Sequence, residues 1–163
     1  GGTVEYVNKD SQLYQKDIEI REDAGTPPIL QFIRASLAYQ LRNEIGFEFI
    51  KNRKNELKEF LIKELETIPN CIIYGNQNTQ NIGIVSFNIK GLSPYDLCNK
   101  ISLEDGFQTR AGCSCAGPYG HDLLGLKELD MNNRPGWVRI SIHFSQTQEE
   151  IMSLVESIKK VLN

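Results

Sequence analysis

The sequence predicts an α/β fold, an α+β two-layer sandwich with helices on one side of a small, largely antiparallel sheet of three or four strands. The chain has 163 residues, of which 40% are hydrophobic and 24% charged, the composition of an ordinary globular protein. Segments with the apolar period of a helix alternate with short segments that have the alternation of a strand. Two of the helical segments are consecutive, which favours a layer of helices against one face of the sheet.

The first 25 residues or so are polar and carry only short apolar patterns. Val4–Val7 and Ile18–Ile20 are predicted as two strands or extended segments. We expect this region to lie outside the core, against something that is not in this chain.

Two long helices follow. A hydroxyl and prolines at Thr26-Pro27-Pro28 are typical of a helix start, because proline at the first helical position loses no hydrogen bond. Apolar residues then recur every four positions until Gly46, and we expect the helix to bury them: Ile29, Ile33, Leu37, Leu41 and Ile45. A second amphipathic helix is predicted from Phe47 to about Ile68.

The rest of the chain supplies the sheet and its remaining helices. Strands are predicted at 71–74, 82–89, 107–110 and 138–142, with helices from Ser93 to about Leu103 and at 123–126. In the last strand Val138, Ile140 and Ile142 face the core, so Arg139, Ser141 and His143 share the opposite face. A capping box of Thr147 and Glu150 begins the terminal helix. Cys71 and Cys98 fall on apolar faces and are predicted to pack in the core.

Composition excludes several classes of protein. The 18 Lys and Arg against 21 Asp and Glu leave a net charge of −3, which lacks the basic footprint of a nucleic-acid-binding protein. No apolar run approaches the length of a membrane span. Four cysteines do not form the dense framework of a small secreted domain, so a reducing compartment, the cytoplasm, is expected. The start at Gly1-Gly2 without Met or a signal segment indicates a processed or excised piece.

One segment, Arg110 to His121, concentrates a cation, two thiols, three glycines and an imidazole. A glycine-rich loop beside a guanidinium can make a thiol accessible and lower its pKa, as a nucleophile requires. An ordinary turn of small residues is the equally weighted alternative. A metal site of Cys113, Cys115 and His121 is disfavoured, since the second ligand pair of structural zinc sites is absent, and no metal is expected.

Two residues elsewhere could bind anions. Arg139 could form two parallel hydrogen bonds to a carboxylate, although a surface arginine on an edge strand is the alternative. Thr26 precedes a helix N-terminus, where free N–H groups and the helix dipole favour a phosphate. Plain N-capping is the commoner role of such a threonine, and both roles can hold.

These landmarks resemble the class V aminotransferase group of pyridoxal-phosphate enzymes, which contains cysteine desulfurases and selenocysteine lyases. The resemblance rests on four segments in family order: Gly1–Val4, Glu22–Ile29, the Arg-x-Gly-x-x-Cys-Ala-x-Pro run from Arg110 to Pro118, and Val138–Ser141. It implies that the chain is the C-terminal small domain of a fold-type I transferase. Residues 1–25 would then belong to a large domain and its active-site or dimer loop, 26–46 to an inter-domain helix, and 47–163 to the small domain.

The resemblance also implies roles for individual residues. Cys115 matches the persulfide-forming cysteine, Arg139 the arginine that receives the substrate carboxylate, and Arg110 a second active-site arginine. Thr26 is similar to the threonine that reaches the cofactor phosphate of the opposite subunit, with Gly1 and Gly2 nearby. One departure is that Cys113 and Ser114 stand where two histidines usually precede the cysteine.

The implied activity is sulfur transfer from L-cysteine to an enzyme cysteine with release of L-alanine. Pyridoxal phosphate is expected in the full-length enzyme, and none is expected to be covalently bound here, because the family's cofactor-binding lysine lies upstream of the Gly-Gly segment. The implied partners are a small amino-acid substrate, a second subunit of a homodimer and a sulfur-acceptor protein, with no nucleic acid and no membrane. The alternatives are another class V reaction, such as transamination or a β-lyase step, and a non-catalytic binding or dimerisation module.

Overall fold

The computed structural model describes residues 2–76, 79, 81–113, 117–126 and 134–162. The chain divides into two compact units, Gly1–Ile45 and Gly46–Asn163. No helix within the described ranges is long and apolar enough to cross a membrane.

The first unit is a β-hairpin followed by two helices. Strand β1 (Val4–Val7) pairs antiparallel with β2 (Gln12–Tyr14), and helices α1 (Ile18–Glu22) and α2 (Ile29–Ile45) follow. The turn of the hairpin is held by the Asn8 side chain, which accepts hydrogen bonds from the amides of residues 10 and 11.

The prediction of an extended segment at Ile18–Ile20 is wrong. The side chain of Asp17 accepts hydrogen bonds from the amides of Glu19 and Ile20 and caps a helical turn there. Three residues of apolar alternation are too few to outweigh a local cap of this kind.

Helix α2 ends at Ile45 as predicted and begins at Ile29, later than the predicted start at Thr26-Pro27-Pro28, and its apolar stripe is not buried. Ile29 is 59% exposed and Leu37 58% exposed, and no residue of this helix is buried. The predicted burial is therefore wrong for this chain, because a periodic sequence produces an apolar face while burial also requires a partner surface.

The second unit is an α+β two-layer sandwich, which confirms the predicted fold class. Its elements, in order, are α3 (Phe47–Glu66), β3 (Cys71–Tyr74), β4 (Ile84–Ile89), α4 (Pro94–Asp105), β5 (Arg110–Gly112), α5 (Gly117–Leu124), β6 (Trp137–Ser141) and α6 (Gln148–Val161). The four strands form one sheet in the order β3-β4-β6-β5, with every neighbouring pair antiparallel.

Two elements are displaced from their predicted positions. The strand expected at 107–110 lies at Arg110–Gly112, since the amide of Phe107 still bonds to the carbonyl of Ile101 at the end of α4. The short helix expected at 123–126 lies earlier, at Gly117–Leu124.

One face of the sheet forms the core together with α3, α4 and α6. Val138, Ile140 and Ile142 are buried there as predicted, beside Phe87. The capping box of Thr147 and Glu150 is present at the start of α6. The core residues of the three helices are Leu57, Leu61 and Leu65 of α3, Leu97 and Ile101 of α4, and Ile151, Val155 and Ile158 of α6. All three helices cover the same face, so the other face of the sheet is available for a site.

Candidate active site

Four residues form a row across the face of the sheet opposite to the core. Tyr74 of β3 pairs with Ser86 of β4, Ser86 with Arg139 of β6, and Arg139 with Arg110 of β5. Directly paired residues in antiparallel strands point to the same face. We call this set the arginine row.

Arg139 lies on an interior strand, since β6 has β4 on one side and β5 on the other. This excludes the alternative of a surface arginine on an edge strand. The side chain is half-buried, and its Nε atom is buried without a hydrogen-bond partner among the described residues. A buried donor on a charged group that is left unsatisfied is costly, so a ligand that accepts from it would be strongly favoured.

Arg110 and Arg139 stand directly opposite each other in the register of β5 and β6. Two guanidinium groups in this arrangement concentrate positive charge on one face of the sheet, which favours an anionic ligand. A carboxylate can accept two parallel hydrogen bonds from one guanidinium, which matches the geometry of arginine better than that of lysine. The arginine row is therefore suited to hold a carboxylate.

The chain that follows β5 is held closely against the sheet at two glycines. A Cβ atom built on Gly136 would lie 2.5 Å from the Cα of Gly112. One built on Gly120 would lie 3.0 Å from the Cβ of Cys113 and 3.3 Å from the indole of Trp137. Sequence reasoning did not assign a role to either glycine, because the close approach depends on chain segments that meet only in the folded structure.

The thiol of Cys113 has a structural partner. Its Sγ lies 3.6 Å from the carbonyl oxygen of Pro135 and is oriented to donate to it. Cys115, the predicted nucleophile, lies outside the described residues, as does Ser114. In the parts of the chain that are described, no three His, Cys, Asp or Glu side chains converge as metal ligands would.

The other two thiols are poor nucleophiles. Burial raises the pKa of Cys71 to about 11. Burial also raises the pKa of Cys98, and a 3.0 Å hydrogen bond from the Thr109 hydroxyl to Sγ partly offsets this. Both cysteines pack at the core, as predicted.

The predicted cofactor residues belong to the first unit. Thr26 is exposed and precedes α2, where the amide of Ile29 bonds to the carbonyl of Pro27. Gly2 is also in this unit, and Gly1 lies outside the described residues. The structure thus brings Arg110 and Arg139 together and leaves Thr26 and Gly2 in a separate unit.

The site residues fit a substrate carboxylate better than a covalently held cofactor. The described residues of the four strands include two arginines and no lysine. Covalent attachment of pyridoxal phosphate needs a lysine amine, and the arginine row offers none.

Solved structures share this fold. A cysteine desulfurase from Thermococcus onnurineus superposes with a TM-score of 0.75 at 28% identity, over 99% of this chain and 38% of that one. The cysteine desulfurase CsdA from Escherichia coli has the same fold, with a TM-score of 0.76 at 22% identity over 99% of this chain and 37% of that one. The class of protein is thus an α+β domain of the kind found in these enzymes.

The chain belongs to the aminotransferase class-V family, whose model matches residues 1–154. A probable cysteine desulfurase from Methanothermobacter thermautotrophicus is 33% identical over 162 residues, which cover 99% of this chain and 38% of that protein. The chain therefore spans well under half the length of this curated relative. The family resemblance read from the four sequence segments is confirmed.

Proposed function

We propose that this chain is the C-terminal part of a pyridoxal-phosphate-dependent, cysteine desulfurase-like enzyme. In this proposal the whole enzyme transfers sulfur from L-cysteine to one of its own cysteines and releases L-alanine. The observation that carries it is Arg139, which lies on an interior strand opposite Arg110 with a buried, unsatisfied Nε. The similarity to a probable cysteine desulfurase and to a solved cysteine desulfurase supports the same activity.

Each site residue has a distinct task in this proposal. Arg139 receives the substrate carboxylate, and Arg110 adds a second positive charge beside it. The thiolate of Cys115 attacks the substrate sulfur, the Cβ–S bond breaks, and Cys115 becomes a persulfide. Pyridoxal phosphate, when bound, supplies the electron sink for the carbanion that forms on the substrate.

The contribution of this chain is positioning and a nucleophile. Holding the carboxylate at a rigid strand fixes the direction in which the substrate sulfur points, which raises the rate of attack by a nearby thiolate. Thr26, with Gly1 and Gly2 nearby, would contact the cofactor phosphate of the opposite subunit in a homodimer. Residues 1–25 would lie with the large domain, and 26–46 would connect it to the small domain formed by 47–163. A sulfur-acceptor protein and a cytoplasmic location belong to the same proposal.

The direct test uses the longer protein that contains this chain and measures release of sulfide and alanine from L-cysteine. Cys115→Ala should abolish sulfide release while cofactor absorption is retained. Cys113→Ala is the matched control and should leave measurable turnover, since the Cys113 thiol already has a structural partner in the Pro135 carbonyl.

If Cys115→Ala turns over cysteine at the wild-type rate, sulfur transfer to Cys115 is excluded, and transamination or β-elimination becomes the better assignment. If the longer protein shows no reaction with any amino acid, a binding or dimerisation module is the remaining interpretation.

A further inference from the structure

A depression at the Tyr74 and Ser86 end of the arginine row is lined by aromatic and aliphatic side chains. We call it the aromatic slot. Its volume is about 280 Å³, close to the lower end of the roughly 300–1,000 Å³ typical of small-molecule pockets. Its floor and walls are Tyr74 and Ser86 of the sheet, Trp137 of β6, and Tyr119, Leu123 and Leu124 of α5.

The sheet side of the aromatic slot is held by hydrogen bonds and a contact between aromatic rings. The Asn88 amide donates to the Tyr74 hydroxyl at 3.1 Å and to the Gly136 carbonyl at 2.7 Å. The rings of Tyr74 and Trp137 are 6.4 Å apart and inclined at 54°, a favourable aromatic arrangement. This wall is therefore in place before any ligand binds, which lowers the entropic cost of binding against it.

The aromatic slot adjoins the proposed carboxylate site. Ser86 lies in the slot and is also the register partner of Arg139. Neighbouring strands are roughly 4.8 Å apart, so a ligand with a short alkyl spacer can reach from one strand to the next. An anion-binding group on one strand and an apolar pocket beside it match a carboxylic acid with an apolar tail.

We propose that the aromatic slot binds the apolar side chain of a ligand whose carboxylate is held by Arg139. The site would thus accept α-amino acids and carboxylic acids larger and more apolar than cysteine. This inference rests on the proposed function for the role of Arg139. It adds a specificity element formed by Tyr74, Trp137 and Leu123. Leu123 is 59% exposed, so it has apolar surface to bury against a ligand.

Trp137 is the only tryptophan of the chain, so its fluorescence reports on the slot directly. We would titrate the 163-residue chain with 3-phenylpropionate, which carries both a carboxylate and an aromatic ring, and with 3-phenylpropanol, which has the ring alone. The expected result is a saturable change with 3-phenylpropionate at a dissociation constant at least about tenfold below that of 3-phenylpropanol.

Two variants test separately where the ring and the carboxylate of 3-phenylpropionate bind. Ser86→Leu fills the slot and should weaken 3-phenylpropionate about tenfold or more, and Arg139→Gln should weaken it to the level of the alcohol. Ser141→Leu is the matched control, because Ser141 is on the same face of β6 but does not line the slot, and it should leave the affinity unchanged. Circular dichroism of each variant verifies that it is folded.

Equal affinity in the wild-type chain and in Ser86→Leu would overturn the proposal, as would an Arg139→Gln variant that binds as tightly as the wild type. In the longer protein, 3-phenylpropionate should inhibit sulfide release from cysteine more strongly than propionate, and equal inhibition by the two acids would also overturn it. Desulfurase activity without binding of 3-phenylpropionate would reject only the slot. Binding in the slot without sulfide release would reject only the proposed reaction.

Discussion

Among single residues, Arg139 shows how a position on a strand determines chemistry. Its neighbours Val138 and Ile140 are buried in the core, so the alternation of the strand directs Arg139 to the other face. Because β6 is an interior strand, Arg139 has a paired residue on each side, Ser86 of β4 and Arg110 of β5. The result is a guanidinium on a rigid support, with a buried Nε that has no partner in the described part of the chain.

Arg139→Lys in the longer enzyme should weaken carboxylate substrates, because an ammonium group cannot reproduce the two parallel hydrogen bonds of a guanidinium. A hydrogen bond to a charged group contributes about 1.5–3 kcal/mol, which corresponds to a loss of roughly ten- to a hundredfold in kcat/KM. Steady-state kinetics with cysteine measure this. Arg53→Lys is the control, since Arg53 forms a 2.9 Å ion pair with Glu56 on α3. Equal kinetics for Arg139→Lys and the wild type would show that Arg139 does not bind the substrate.

Cys71 should react with iodoacetamide only at high pH. Burial raises its pKa to about 11, so its thiol is protonated near neutral pH, and its alkylation rate should rise about tenfold per pH unit until pH 11.

The folded state holds the proton of the Cys71 thiol more strongly than the unfolded state, where the pKa is 9.0. The stability that this provides is complete below pH 9 and is lost as the pH rises from 9 to 11.

Mass spectrometry of alkylated peptides measures the rate at each cysteine. At neutral pH, Cys115 should be alkylated before Cys71 and Cys98. Rapid alkylation of Cys71 at neutral pH would contradict the structure.

Among the elements, β5 and the residue that precedes β6 approach each other so closely that a side chain has no room between them. Gly136 precedes β6 and lies against the backbone of Gly112 at the end of β5. The same segment supplies the carbonyl to which Asn88 donates. The position of Trp137, and with it one wall of the aromatic slot, therefore depends on a glycine that precedes the strand.

Gly136→Ala should lower the free energy of unfolding by about 1–3 kcal/mol, because the new Cβ would lie 2.5 Å from the Cα of Gly112 and the strands would have to separate. Denaturant unfolding of the chain measures this, and the fluorescence maximum of Trp137 should shift at the same time. Gly117→Ala is the matched control, since nothing lies within 4 Å of its added Cβ. If both variants unfold at the same denaturant concentration, the close approach of β5 and β6 is not as described.

In the whole molecule, the core formed by the described residues lies in the second unit. The buried hydrophobic residues of the described ranges fall between Leu57 and Ile158, and none of the described residues up to 45 is buried. Burial of apolar surface is the main source of stability. The second unit should therefore carry the cooperative unfolding transition of the chain.

A variant that begins at Gly46 should unfold at nearly the same denaturant concentration as the complete chain. It should also bind less of a hydrophobic dye, because it lacks the exposed apolar stripe of α2. Leu61→Ala, in the core, is the contrasting variant and should lower the free energy of unfolding by about 2–5 kcal/mol. Failure of the shortened variant to fold would show that the first unit contributes to the core.

The chain alone should not form a stable, stoichiometric complex with pyridoxal phosphate and should not release sulfide from cysteine. The physical reason is that the described strands of the sheet contain no lysine, so none of them places an amine beside the arginine row. Absorption spectroscopy after addition of the cofactor and dialysis measures this. A persistent band with one cofactor per chain would contradict the prediction.

Long, strongly periodic segments could be predicted from the sequence by itself. The C-terminal end of α2, the capping box of α6 and the inward residues of β6 are local properties, because each depends on residues within one or two turns of a helix or along one strand. The fold class follows from the same local signals, whereas the family follows from the resemblance of four sequence segments. The candidate arginines were also found in this way, as was the face on which Arg139 lies.

Only the tertiary structure decided which residues meet. The order β3-β4-β6-β5 brings Tyr74 and Ser86 beside Arg139 and Arg110, although these residues are far apart in the sequence. The aromatic slot and the role of Asn88 follow from that strand order, and the strand order cannot be predicted from any short-range sequence pattern. The stripe of α2 gives the converse case, since its periodicity is local but its burial depends on a surface that its own unit does not provide. Periodicity is a property of neighbouring residues, whereas register and burial are properties of distant ones.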